Sequence, residues 1–422
     1  MVLEYLSFRQ MVNCMRISKG WRDYLSKIPK LWLHLDLSGA RKPVRRSFIN
    51  TAFKRSEDRM TRVTVHRFEH MDVLKNLAKA AKHLSELELI SLPYAASETL
   101  IEVVKSSARL KRLVVHAETT PGAIESVMRE RPELEHVAFH AVLPTRYTMN
   151  WSTPLPHLHT LALSFTEPVP GQQLQLSTLL ALAPSLRTLS LTAISAFQWP
   201  TSASALPLLT SLTLHRTDFQ RFPALPPTLQ FLSLENSNGR VQLENDDVPW
   251  ADAHLPQLTH LLLSGFTLSA SKFETLLDCY VNEQGQVVDY TLGEATPLQY
   301  LSLRCQIHGS LFKGADSILG TSPRVLTPAL RELDVGATSC DDDDIECLLQ
   351  RETGLASIDI SDTRITGAAI KMLVDGLPGL KRIRADNCTK VSGRDALEYA
   401  RKKGVVVGFQ MGEQKGGRRV RY

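Results

Sequence analysis

Apolar residues recur along the chain in the phrase Leu-x-x-Leu-x-Leu. It reads Leu84-x-x-Leu87-x-Leu89, Leu158-x-x-Leu161-x-Leu163, Leu186-x-x-Leu189-x-Leu191, Leu209-x-x-Leu212-x-Leu214, Leu229-x-x-Leu232-x-Leu234, Leu258-x-x-Leu261-x-Leu263 and Leu298-x-x-Leu301-x-Leu303. Looser copies start at Met60, Leu110, Leu134, Leu330, Leu355 and Leu380. Within each phrase apolar and other residues alternate, the period-two signature of a strand with one buried face. Behind several phrases apolar residues return at i, i+3 and i+4: Leu74/Leu77/Ala78, Leu100/Val103/Val104, Ile124/Val127/Met128, Phe273/Leu276/Leu277 and Ile345/Leu348/Leu349. That spacing predicts helices with one apolar face. The unit is therefore a strand, a turn and a return segment, repeated about thirteen times.

Most starts fall 20 to 32 residues apart, so the chain resembles leucine-rich-repeat proteins. The resemblance implies an α/β solenoid with a curved parallel sheet inside and helices or extended segments outside, over residues 39–410. Strands need less width than helices, which puts the sheet on the inner curve. Between Leu186 and Leu258 the return segments carry Pro200, Pro207, Pro223, Pro226 and Pro227. Proline is excluded from helix interiors, so these returns should be extended or short 3₁₀ turns. The extra residues 280–296 and 309–323 read as edge loops. The last two repeats resemble the cysteine-containing class, with Thr363 and Cys388 at the ninth position, whereas Leu92, Val142 and Ile194 are apolar there.

Residues 1–38 do not repeat. They run Leu3-Glu-Tyr5-Leu6, then Met11, Val12, Met15 and Ile17, then Ser18-Lys19-Gly-Trp21-Arg22-Asp-Tyr24-Leu25, then Pro29-Lys-Leu31-Trp32-Leu-His-Leu35-Asp36-Leu37-Ser38. This order resembles an F-box without its opening helix, a partial motif running into the first strand. Two of the chain's five tryptophans, Trp21 and Trp32, occupy its signature positions. The resemblance implies an N-terminally truncated fragment, or a product with a weakened grip on its linker. It also implies a substrate-recognition adaptor of an SCF-type ubiquitin ligase: the F-box docks on a Skp-type linker and the repeats hold a protein substrate. The linker contacts would be Leu3, Leu6, Met11, Val12, Ile17, Lys19, Trp21 and Trp32. Trp32–Ser38, the arginine-rich stretch after it and the ending Gly-Arg-Arg-Val-Arg-Tyr look like a fungal branch with upstream tetratricopeptide repeats, tied to replisome disassembly. The alternative is a non-ligase scaffold whose N-terminal helices only cap the solenoid.

The third, fifth and seventh residues of each repeat should project from the inner face. They begin basic or histidine-bearing, with Arg62, His66, Arg112, His116, His136 and His140. After a small, polar middle come Tyr300 and Arg304, then acidic Glu332, Asp334 and Asp359, then basic Arg382 and Arg384. Such patterned charge suits a protein partner. A nucleic-acid groove would need a continuous basic track.

The net charge is only +5, but nine Lys or Arg lie between Arg41 and Arg67, and residues 411–422 form a basic tail. The former could make a weak chromatin contact; the plainer expectation is a solvated edge. Six scattered cysteines read as reduced thiols of an intracellular protein in nucleus or cytoplasm. No apolar run reaches the length of a membrane span. His66-Arg-Phe-Glu-His70 lacks metal-site order, Asp341–Asp344 lacks EF-hand spacing, and no phosphate loop or nucleophile elbow appears. The expectation is a binder with no cofactor, no metal and no catalysis of its own.

Overall fold

The computed structural model describes residues 6–38, 45–66, 72–90, 97–195, 206–217, 225–235, 255, 257–265, 280–281, 287–289, 298–305, 311–313, 317, 319, 325–391 and 394–410. The chain divides into two compact units, residues 1–195 and 196–422.

The first unit opens with helices α1 (Phe8–Ile17) and α2 (Lys19–Ser26) and a 3₁₀ turn at Pro29–Trp32. Ser7 and Gln10 form a capping box on α1, and Ser18 caps α2. Seven parallel strands follow in chain order: β1 (His34–Asp36), β2 (Arg62–His66), β3 (Glu86–Ile90), β4 (Arg112–Thr119), β5 (His136–Val142), β6 (Thr160–Pro170) and β7 (Thr188–Ser195). Between them lie α3 (Arg46–Arg55), α4 (Asp72–Ala80), α5 (Ser97–Ser106), α6 (Pro121–Glu130), α7 (Gly171–Leu174) and α8 (Leu176–Leu182). One apolar residue per strand stacks in register: Leu35, Val63, Leu87, Leu113, Val137, Leu161 and Leu189. All are buried. The helical triads Leu100/Val103/Val104 and Ile124/Val127/Met128 are buried behind the sheet, as their spacing requires.

The second unit continues the pattern with parallel strands β8 (Ser211–His215), β9 (Phe231–Glu235), β10 (His260–Ser264), β13 (Tyr300–Ser302), β14 (Glu332–Asp334), β15 (Ser357–Asp359), β16 (Arg382–Arg384) and β17 (Val406–Gly408). Their core ladder is Leu212, Leu232, Leu261, Leu301, Leu333, Ile358, Ile383 and Val407. Helices α9 (Asp342–Leu349), α10 (Gly367–Gly376) and α11 (Asp395–Lys402) pack as successive neighbours.

Both units are leucine-rich-repeat stacks, and every repeat start read from the sequence is followed by a strand. Strands β1 and β17 extend the ladder beyond those starts. Among the described residues of the proline-crowded middle there is no helix, and Pro207, Pro226 and Pro227 sit at turns. The insertion at 280–296 is more than loop: β11 (Tyr280–Val281) and β12 (Val287–Asp289) form a short antiparallel ribbon. The arginine-rich stretch is more than a solvated edge, because α3 buries Ile49, Ala52 and Phe53. Those three fall at i, i+3 and i+4, the helical spacing, within a stretch dominated by charge. Phe273/Leu276/Leu277 and the basic tail lie outside the described residues.

Candidate functional site

Three surfaces carry the residues expected to bind partners. The first is formed by α1 and α2. Met11 and Leu25 join the two helices from inside. Trp32, 1% exposed, donates its indole N–H to the Leu25 carbonyl at 3.1 Å. Phe8 meets the Trp32 ring edge-on with centroids 6.0 Å apart, and the Arg55 guanidinium lies 4.6 Å from the same ring. Met11 and Trp32, expected among the linker contacts, are therefore interior residues that hold the helices to the first repeat. Ile17, Trp21 and Tyr24 are different: they are 71%, 42% and 51% exposed. Trp21 and Tyr24 meet edge to face with centroids 6.3 Å apart, and Lys19 is exposed beside them. Tyr24, not among the expected linker contacts, belongs to this exposed pair, and its i+3 offset from Trp21 is the sequence signal for it. Leu6 and Val12 are half-buried and line clefts beside α1. Leu3 lies outside the described residues.

The second surface is the open sheet face of the first unit. Register places Arg62, Glu86, Arg112 and His136 in one row. Arg62 pairs with Glu86 at 3.0 Å, and Thr64 donates to Glu88 at 3.5 Å. The expected basic face is thus interrupted by two carboxylates, which occupy the projecting positions of the Leu84 repeat. Val114, expected to project, is buried. His116 and His140 stack with ring centroids 4.1 Å apart and planes 12° from parallel. His66 stands level with Ile90. His136 contacts the Thr160 hydroxyl at 2.9 Å. Burial, then Arg112, lowers the pKa of His136; burial, then His116, lowers that of His140. Burial and then Arg62 do the same for His34. These imidazoles prefer to be neutral, because the charged form loses solvation and meets cations.

The third surface belongs to the second unit. Phe231, His260 and Tyr300 form a cross-strand aromatic ladder, with successive centroids 5.8 and 5.9 Å apart. Beside it, Tyr300, Glu332, Asp334, Asp359, Arg382 and Arg384 line one hollow of about 520 Å³. The expected succession of acidic and basic patches is absent here because the charges interlock. Arg304 lies 3.6 Å from Asp334, 3.6 Å from Asp359 and 3.3 Å from Asp362. Arg382 reaches back to Glu332 at 3.2 Å, and Arg384 lies 3.8 Å from Asp359. Burial raises the Asp334 carboxyl above the usual range, and burial followed by Asp334 and Glu332 raises the Tyr300 phenol.

Burial pushes the Cys340 and Cys388 thiols up, keeping them protonated. That state suits neither a nucleophile nor a metal ligand. Among the described residues no group of three or more metal-ligating side chains occurs, and no helix is long and apolar enough to cross a membrane. The Asp341–Asp344 run is instead a helix start, with Asp341 and Asp344 forming a capping box on α9.

The chain matches no protein-family model and no curated protein. Among solved structures it is similar to an internalin of Listeria monocytogenes, with 14% identity and a TM-score of 0.49 over 92% of this chain and 95% of that one. A leucine-rich-repeat protein of Leptospira interrogans shares 15% identity, TM-score 0.44, over 87% and 86%. A structure of the yeast Rad7–Elc1 complex gives 14%, 0.39, 95% and 98%.

Proposed function

We propose that the chain is a non-catalytic adaptor of an SCF-type ubiquitin ligase: α1 and α2 dock on a Skp-type linker, and the repeat faces hold a substrate protein. The observation that carries this reading is the exposed Trp21–Tyr24 pair, with Ile17 also exposed at the end of α1. Large apolar side chains grouped on a surface are stabilised by being covered, and Trp and Tyr dominate binding energy at protein interfaces. The adaptor adds proximity, raising the effective concentration of substrate near enzymes supplied by other subunits. The Phe231–His260–Tyr300 ladder and the charged hollow beside it offer a substrate both apolar contact and directional pairing. Reduced cysteines support an intracellular setting, in nucleus or cytoplasm. The fungal, replisome-linked branch rests on the sequence resemblance alone.

A second reading keeps the repeats as a scaffold and gives α1 and α2 only the role of a cap. It is favoured by the pairing of β1 with β2 and by the sealed Trp32, which close one end of the first sheet. Co-purification with a Skp-type linker separates the two. Trp21→Ala and Ile17→Asp should abolish capture while leaving the circular dichroism spectrum and melting temperature unchanged. Undiminished capture by both variants overturns the adaptor reading.

A further inference from the structure

A cleft of about 960 Å³ runs between α1 and α3. Arg9 and Arg16 project into it from one wall, and Arg45 and Arg55 from the other. Arg9, Arg16 and Arg45 pair with no carboxylate among the described residues. The one carboxylate lining the cleft, Asp36, accepts the Ser38 amide at 2.9 Å. Between the arginines lies an apolar floor, where Phe8 and Phe48 meet edge-on with centroids 6.2 Å apart and Val12 and Leu37 flank them. Guanidinium groups and aromatic side chains thus line one cleft, which suits a ligand carrying both negative charge and apolar surface.

We infer that this cleft binds an acidic peptide segment of a partner protein, with carboxylates on the four arginines and an apolar side chain on the phenylalanine floor. Guanidinium groups pair with carboxylates through two parallel hydrogen bonds, which fixes orientation as well as charge. A ten-residue helix is about 15 Å long, enough to flank four or five residues of an extended segment at about 3.3 Å each. A nucleic-acid backbone is the poorer fit. It would need a longer basic track, and the neighbouring sheet face presents Glu86 and Glu88. The inference does not depend on linker docking by Trp21, which lies outside the cleft lining.

The test is fluorescence anisotropy on the full chain with a short labelled peptide of Asp and Glu around a central Leu-Phe pair. The same peptide with Asn and Gln, and a single-stranded oligonucleotide of similar length, are measured alongside. The acidic peptide should bind, the neutral one should not, and the oligonucleotide should compete poorly. Arg9→Ala with Arg16→Ala should weaken the acidic peptide about tenfold or more, as should Arg45→Glu on the opposite wall. Lys381→Ala, far along the chain, should have no effect. Equal binding of acidic and neutral peptides, unchanged binding by folded variants of both walls, or tighter binding of the oligonucleotide would each overturn the inference.

Discussion

The repeats starting at Leu330, Leu355 and Leu380 and those starting at Leu110, Leu134 and Leu158 share a core ladder but leave their strands differently. In the former group strands β14, β15 and β16 are three residues long. The eighth residues, Ala337, Asp362 and Asn387, adopt positive φ of 54°, 59° and 57°. The ninth residues then turn inward: Thr338 donates to the Val335 carbonyl at 2.6 Å, Thr363 to Ile360 at 2.6 Å, and Cys388 to Ile360 at 3.0 Å. Asp334 and Asp359 secure the same turns by accepting the amides two residues on, each at 2.9 Å. In the latter group β4, β5 and β6 run eight, seven and eleven residues. Val142, an apolar ninth residue, is buried and stays paired across the sheet. A buried carbonyl needs a donor. Where the ninth side chain turns in and supplies one, the chain leaves the sheet early; in the latter group, with Glu118, Val142 and Thr166 at that place, backbone pairing continues and register shifts absorb the mismatch.

The comparison breaks most sharply at the sixth residue, which points into the core. Phe139 fills that place in the Leu134 repeat and Ala385 in the Leu380 repeat, both fully buried. Phe139→Ala should cost about 3–5 kcal/mol through the cavity it leaves. Ala385→Phe should cost about 1–3 kcal/mol or more through overpacking. Denaturant unfolding monitored by circular dichroism reads both. If Ala385→Phe is neutral, the two cores do not differ in volume as the burial implies.

Much of this was legible in the sequence because one residue type at a fixed period reports a core position each time it recurs. Leu-x-x-Leu-x-Leu located the strands, and Thr363 and Cys388 located the polar turns. Thr338 fills the same slot and was legible by the same rule, yet it sits behind the less regular Leu-Asp-Val. Strand β17 has no repeat phrase, because Val405-Val-Val407 carries no leucine and follows a short helix. The binding surfaces were less legible. Position along a strand tells which side chains project, but not whether neighbouring charges neutralise one another. Arg304 reaches Asp362 from 58 residues away, a pairing no local pattern encodes. The arginine cleft likewise joins residues from α1 and α3, which α2 and β1 separate along the chain. The signature position of Trp32 says nothing of the Phe8 and Arg55 that cover it.

A smaller effect is expected from the ninth residue itself. Thr363→Val keeps the shape and removes the donor, leaving the Ile360 carbonyl to Cys388 alone. The cost should be about 1–2 kcal/mol. Thr338→Val should cost about 1–3 kcal/mol, since Val335 then loses its side-chain donor. The mirror substitution, Val142→Thr, should also destabilise, because it places a hydroxyl where the carbonyls are already met by strand pairing. A gain in stability from Val142→Thr would mean that the longer strands lack a donor after all.

The smallest expected effect separates the two regions by pH. His34, His136 and His140 have folded pKa values below the usual one, so the unfolded chain takes up protons first as pH falls. Their contribution to stability is complete above about 6.5 and is lost on acidification through that value toward the folded pKa. In the other region Asp341 is lowered: burial opposes the shift, but the Lys313 ammonium and the Asp344 amide outweigh it. Its contribution persists above about 4 and fades only below that. Asp334, raised by burial, has the opposite sign and favours the fold slightly as it protonates. Amide hydrogen exchange between about pH 7 and 5.5 should therefore lose protection in residues 136–142 but not in 357–384. The change should be modest, since the His140 ring is shielded by its neighbours on one side only and solvent screens the rest. His140→Gln should narrow the difference by removing the stacked pair with His116. Equal loss of protection in both regions, or no narrowing in the variant, would mean that the histidine-lined face is not what makes the first region sensitive to acid.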